Sequence, residues 1–222
     1  MIWLPFKKWQ SKHLEKKSVP KFPWRMIERV RIATGNAGKL REFRELLTPL
    51  GIEVLGIDDL GPVEIIEDGD TFEANAIKKA RTILEMTGDI VIADDSGIVV
   101  DALDGAPGVH SARYAGESGK SQDAANNRKL LEAMQGVPDN QRQARFVCAL
   151  ALCKPSAAPI TFMGTFEGSV GYEERGSNGF GYDSVFIVLG DTRTSAELNR
   201  DEKNGMSHRG KALQDLLAHL KS

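Results

Sequence analysis

The sequence predicts a mixed-sheet α/β protein, and three observations carry that class. Through the first part of the chain, strand-like runs alternate with segments of helical periodicity, as in strands joined by helical crossovers. Two later apolar runs, Arg145 to Cys153 and Ile160 to Val170, are separated only by a short stretch bearing Pro155 and Pro159, so they read as antiparallel neighbours. Beyond an N-terminal extension, no internal repeat or low-complexity linker breaks the pattern.

The first strand is expected over Val30 to Thr34, and Gly35 to Gly38 turn it into a helix beginning near Lys39. Leu40, Phe43, Leu46 and Leu47 give that helix one apolar stripe, and Pro49 and Gly51 stop it. A short strand at Glu53 to Ile57 leads into an acidic loop from Asp58 to Asp70. The second helix starts at Asp70 or Thr71, each a good N-cap, and ends at Thr87 with Gly88 as its stop. Its buried face is read as Phe72, Ala76, Ala80, Ile83 and Leu84, while Asn75 and Lys79, four apart, share another face directed at a cleft. Strands follow at Asp89 to Ala93 and Ile98 to Leu103, then a helix from Ser121 to Met134 and a turn at Pro138. After the antiparallel pair, a run at Ser184 to Leu189 follows a glycine-rich loop. Ser207 caps a final helix whose apolar face is Leu213, Leu216, Leu217 and Leu220.

Composition narrows the function classes. With 41% hydrophobic and 27% charged residues the chain is ordinary for a globular protein, and its net charge of −2 gives no whole-chain argument for nucleic acid. Residues 1–25 hold seven Lys or Arg against Glu15 alone, a surplus of six positive charges that leaves the rest at −8. All three Trp lie in that stretch, yet its apolar run is too short for a secretory signal. An upstream start with Met26 as the true first residue, a basic tail, and an interfacial anchor are its three readings. No later run is long enough to cross a membrane. Cys148 and Cys153, five positions apart on one strand, face opposite ways and read as free thiols rather than a disulfide or a zinc pair.

Four segments carry candidate chemistry. Asp94, Asp95, Ser96 and Gly97 follow the apolar run Ile90 to Ala93, which puts two carboxylates at the end of a buried strand. Neighbouring strand residues point to opposite faces, so one of the two faces a cleft. Asp95, beside the turn at Gly97, is the one expected to reach Mg²⁺, which takes one or two carboxylates together with phosphates and water. A turn merely capped by Asp94 and Asp95 is the competing reading. The loop Thr34-Gly35-Asn36-Ala37-Gly38-Lys39 lies between strand and helix, where backbone amides and a lysine can hold phosphate; a plain tight turn is the alternative. It is no P-loop, since Leu40 stands where Ser or Thr would follow the lysine. Gly176 to Asp183 can offer aromatic faces to a base, or can be an irregular loop with core aromatics. Lys203, His208 and Arg209 form a basic group before the last helix, which a solvated helix entrance would also explain.

In order along the chain, TGNAGK at 34–39, FEANA at 72–76, ADDSG at 93–97, GAPGVHSARYAG at 105–116, NGFGYD at 178–183 and SHRG at 207–210 resemble the inosine triphosphate pyrophosphatase family, also called XTP/dITP diphosphatase. The resemblance runs from about Met26 to the C-terminus. It implies an elongated mixed sheet with two α/β lobes and a central cleft, so that residues 26–222 form one domain. It also implies a homodimer that hydrolyses ITP, dITP and XTP to monophosphate and pyrophosphate with Mg²⁺, while the free thiols, the near-neutral charge and the lack of a long apolar run lead to the expectation of a cytoplasmic protein with neither nucleic acid nor membrane as a partner. Matched position by position, Thr34, Gly35, Asn36, Ala37, Gly38 and Lys39 would bind triphosphate. Glu67 and Asp95 would hold Mg²⁺, with Asp95 also the proton acceptor. Lys79 would add a catalytic phosphate contact and Ser96 a substrate contact. Phe180, Gly181, Tyr182, Asp183, Lys203, His208 and Arg209 would surround the nucleotide. Asn178 and Ser184 depart from the family pattern beside the base loop without replacing a catalytic group. A pyrophosphatase for modified pyrimidine nucleotides and a non-catalytic nucleotide-binding module are the competing functions.

Overall fold

The structure, a computed structural model, describes residues 27–116 and 119–221. The three readings of the extension therefore lie outside the described residues. Six strands form one mixed sheet in the order β2-β1-β3-β4-β5-β6. β1 (Arg29–Ala33), β2 (Glu53–Leu55) and β3 (Val91–Val100) are mutually parallel where they pair, because the helices α1 (Ala37–Leu47) and α2 (Phe72–Thr87) return the chain between them. β4 (Gln143–Cys153), β5 (Ile160–Val170) and β6 (Phe186–Val188) add antiparallel neighbours. This is the mixed architecture that the patterning predicts.

Local chemistry explains most boundaries. Thr71 caps α2 by accepting the Ala74 N–H, and Gly88 ends the helix in the left-handed region at φ +70°. Ser207 caps α5 (His208–Lys221) through the Gly210 N–H at 3.0 Å. α1 begins two residues earlier than expected, because Asn36 accepts the Lys39 N–H and draws Ala37 and Gly38 into the first turn. α3 spans Gln122–Ala133. A helix absent from the sequence reading, α4 (Arg200–Met206), is set by a capping box between Asn199 and Glu202.

The largest departure is β3. The sequence predicts a turn at Gly97 between two strands, whereas β3 runs unbroken from Val91 to Val100 against β4. Gly97 is needed for another reason: a Cβ there would come within 2.6 Å of the Gly108 carbonyl oxygen and would collide with Ser111 Oγ. The 3₁₀ segment Gly108–Arg113 packs onto the strand at that point, and Ser111 Oγ accepts the Ile98 N–H at 2.9 Å. Asp94 and Asp95 are thus interior to a strand, and the capped-turn reading falls.

Alternation along β3 then distributes the cores. Ile92, Asp94, Ser96, Ile98 and Val100 share one face. On it, one cluster gathers Ile92, Leu150 and Leu152 under α1 and α5, and a second gathers Ile98, Val100 and Phe146 with Leu130, Tyr182 and Phe186. Asp94 and Ser96 lie between the two. The opposite face carries α2, packed through Ala76 and Ala80 onto Ala93, Ala149 and Ala151, and these small side chains let helix and strand approach closely. Cys148 and Cys153 are buried, free and in clusters on opposite faces, as expected.

Candidate active site

β1 stops pairing with β3 at Ala33 and Ala93, whereas β4 continues along the other edge to Val100. Beyond Ala93, the β1-side edge of β3 carries among the described residues only an isolated bridge, Val99 to Pro107, which leaves an opening beside Asp94, Asp95 and Ser96.

On the α1 and α5 face, Asp94 is fully buried and saturated. It accepts from Lys39 Nζ, from Ser96 Oγ at 2.7 Å, from Arg209 Nε at 2.7 Å and from the Cys148 thiol at 3.2 Å. Burial works against its charge, but Arg209 and Lys39 hold its carboxyl well below the usual carboxylate range. Asp94 is therefore a fixed anion that aims two cations, with no lone pair left to offer. Glu42, which is not among the residues expected from the sequence, completes the arrangement by accepting from Arg209 Nη1 and lying 3.7 Å from Lys203 Nζ. Its position three residues after Lys39 on a capped helix was the available signal.

On the α2 face, Asp95 accepts from Lys79 Nζ at 2.7 Å and Asn75 Nδ2 at 3.2 Å, and the same ammonium lies 3.2 Å from Glu67 Oε1. The strand-borne and loop-borne carboxylates are thus brought to one cation. Lys79 is buried rather than poised at a solvent cleft. Burial disfavours its charge, yet Asp95 and Glu67 together raise its pKa. Asp95 is raised too, by burial first, with Lys79 opposing and Glu67 reinforcing. The causes differ: the two carboxylates outweigh burial at Lys79, whereas burial, with Glu67 adding to it, outweighs the ammonium at Asp95. Asn75 and Lys79 are buried, while Phe72 and Leu84, assigned to the core from sequence, are only partly so, because the helix face toward Asp95 is covered by the acidic loop.

Of the phosphate-loop candidates, Asn36 and Lys39 line a pocket beside this opening, and Thr34, Gly35, Ala37 and Gly38 are not part of its lining. Thr34 Oγ1 accepts the Asn36 N–H at 3.1 Å, and a Cβ on Gly35 would meet nothing within 4 Å. At Gly38 a Cβ would lie 2.8 Å from the Phe180 ring, so this glycine admits the base loop. Phe180 faces the pocket with Lys203 Nζ 5.3 Å and the Arg209 guanidinium 5.8 Å from its ring centre. The Gly181 N–H donates to Asp123. Tyr182 belongs to the core, its hydroxyl donating to the Ser111 carbonyl at 2.8 Å, which corrects the picture of two aromatic faces offered to a base. Asp183 braces the loop, accepting from the Phe180 N–H, Lys203 Nζ at 2.6 Å and Ser195 Oγ. His208 stacks on Phe146 with ring centres 5.0 Å apart. Burial, reinforced by Arg209, keeps its pKa well below the ordinary histidine value, so it is neutral, and its Nδ1 has no partner.

Asn36, Lys39, Ser96, Phe180, Gly181, Tyr182, Asp183, Lys203, His208 and Arg209 therefore line one pocket, and Glu67, Lys79 and Asp95 lie across β3 from it. A wider groove of about 740 Å³ along α3 holds no comparable constellation: its buried cation, Arg142, is spent on the carbonyls of Met134, Val137, Val170 and Gly171.

A sequence model of the Ham1 family matches residues 30–219. A dITP/XTP pyrophosphatase of Bacillus licheniformis is 52% identical over 195 residues, 87% of this chain and 98% of its own length. One from Shigella flexneri is 47% identical over 88% of this chain and all of its own. Among solved structures, a HAM1 protein from Coxiella burnetii superposes with a TM-score of 0.78 at 43% identity, covering 88% of this chain and 98% of that one. A nucleoside-triphosphatase, dITP/XTP pyrophosphatase, from Mycobacterium abscessus gives 0.70 at 43% identity, over 85% and 98%.

Proposed function

The chain belongs to the Ham1 family, and from that premise we propose that it hydrolyses the non-standard purine nucleotides dITP, XTP and ITP to the nucleoside monophosphate and pyrophosphate. The observation that carries this reading is the convergence of Glu67 and Asp95 on one ammonium, beside a strand edge that opens onto a cation-lined pocket walled by Phe180.

The donor set suits Mg²⁺. Glu67 and Asp95 offer hard carboxylate oxygens, and no group of three His, Cys, Asp or Glu gathers among the described residues. The remaining positions then fall to water and phosphate, the division that Mg²⁺ prefers. Bound between these carboxylates, Mg²⁺ would neutralise phosphate charge and polarise a water. Lys39, Lys203 and Arg209 already have carboxylate partners, which supports the need for added positive charge when a triphosphate enters.

Water attacks the α-phosphorus; its oxygen forms the new P–O bond while the bond to the bridging oxygen breaks and pyrophosphate departs. Asp95 accepts the proton, helped by the burial that raises its carboxyl toward a useful base. Lys39 and Arg209, aimed by Asp94 and Glu42, stabilise charge on the phosphate oxygens. Neutral His208, with one ring nitrogen to donate and one to accept, suits the 6-oxo and protonated N1 edge of hypoxanthine and xanthine, while Phe180 covers the base. The enzyme acts in the cytoplasm as a homodimer, with residues 26–222 as its catalytic domain. The two pyrophosphatase relatives align over 98% and 100% of their own length, which supports placing residues 1–25 outside the catalytic unit.

Pyrophosphate release from dITP, XTP, ITP, GTP, ATP and dUTP, with and without Mg²⁺, tests the reading. Turnover of the first three, lost without the cation, is expected. Turnover confined to dUTP, or no pyrophosphate at all, overturns it.

A further inference from the structure

We propose that Asn75 is a positioning residue that sets the spacing of the Glu67 and Asp95 carboxylates for a divalent cation, an inference that rests on the metal-dependent reading above. Asn75 is completely buried on α2, and its amide is used at both ends. Oδ1 accepts the Gly69 N–H at 2.8 Å, while Nδ2 donates to the Gly69 carbonyl at 3.3 Å and to Asp95 Oδ2 at 3.2 Å. One side chain thus ties the acidic loop, two residues from Glu67, to the strand-borne carboxylate.

The need for an amide is chemical. Gly69 presents a donor and an acceptor together, and Asp95 presents an acceptor, so neither a carboxylate nor a hydrocarbon of similar shape serves all three. Asp95 is left with Oδ1 toward Lys79 and Glu67, while Oδ2 is held back by Asn75. Gly69 shows how close the fit is. A Cβ there would stand 2.7 Å from Asn75 Oδ1 and 3.0 Å from Ala74 Cβ, so any larger residue displaces the amide. The loop and the strand have no mutual ladder, so without this clamp Glu67 is tethered to the site by Lys79 and by the contact of Arg113 with its backbone and carboxylate. Partners that orient metal ligands in this way are generally worth about 10–100-fold in metal affinity.

The test is binding of Mn²⁺ without nucleotide, followed by electron paramagnetic resonance, in the full-length wild type, Asn75→Ala and Gly69→Ala. Urea unfolding and pyrophosphate release at varied Mg²⁺ accompany it. The Mn²⁺ dissociation constant is expected to rise about 10–100-fold in Asn75→Ala and in the same direction in Gly69→Ala, with a parallel rise in the Mg²⁺ needed for half-maximal turnover. Nucleotide KM at saturating Mg²⁺ is expected to change less than about threefold. A purely structural asparagine would lower the unfolding midpoint and leave the cation constant alone. If Asn75→Ala does not fold, Gly69→Ala decides by itself. Cation constants within about twofold of wild type in either folded variant overturn the inference, whereas a wild type that binds no Mn²⁺ overturns the metal-dependent reading beneath it.

Discussion

Asp94 and Asp95 are adjacent and chemically identical, yet their surroundings give them opposite duties. Asp94 meets two cations, a thiol and a hydroxyl in a buried gap between two apolar clusters, so its charge is locked. Asp95 shares one ammonium with Glu67 and is pushed toward protonation. Their substitutions should therefore separate. Asp94→Asn leaves Lys39 without its carboxylate partner and Arg209 with Glu42 alone, and is expected to cost about 3–5 kcal/mol in urea unfolding. Asp95→Asn keeps a folded protein whose kcat falls by on the order of 10²–10⁴. A stable, slow Asp94→Asn beside an unfolded Asp95→Asn would reverse the assignment. Sequence alone supplied the reason that the two must diverge, because neighbouring strand residues face opposite ways. It could not say which partners each would meet, since Lys39, Arg209, Lys79 and Glu67 come from four other segments.

Elements with local stop signals were legible, and those defined by a neighbour were not. Thr71 and Gly88 bound α2, Ser207 starts α5, and the Asn199 and Glu202 capping box of α4 is an equally local signal, although the helix it starts is not among those expected from the sequence. β3 failed for the opposite reason. Gly97 looked like a turn because glycine usually marks one, while its role here is to let Gly108–Arg113 lie against the strand. Gly97→Ala is accordingly expected to destabilise by roughly 1–3 kcal/mol through overpacking. Gly35→Ala, whose added methyl meets nothing within 4 Å, is expected to stay within about 0.5 kcal/mol. Paired thermal melts decide the matter, and equal effects at the two glycines would refute the explanation of the unbroken strand.

Over the whole molecule, the two halves of the sheet meet at a buried polar seam, and that seam makes the fold sensitive to acid. His208 is buried, and its folded pKa lies well below its ordinary 6.5. The unfolded chain therefore binds more protons as pH falls below about 6.5, and stability drops with it. Above that pH the contribution is complete. Asp94, depressed for a different reason, adds a further loss only in the carboxylate range, while Asp95, raised instead, acts there with the opposite sign. The unfolding free energy should thus fall from pH 7.5 to pH 5, and His208→Gln should flatten that slope. Parallel curves for wild type and variant would remove His208 from the account.

The sequence by itself determined the mixed α/β class, the parallel and antiparallel halves and most helix caps, because periodicity and capping are properties of neighbours along the chain. No helix among the described residues is long and apolar enough to cross a membrane, in line with its hydropathy. Tertiary structure alone decided that β1 ends where β3 continues, that Asp94 is spent on cations while Asp95 remains available, and that Glu42 and Asn75 hold the charged groups in place. Those outcomes depend on contacts between segments distant in sequence, and the energies that set them, burial and ion pairing, exist only once the chain has closed around them.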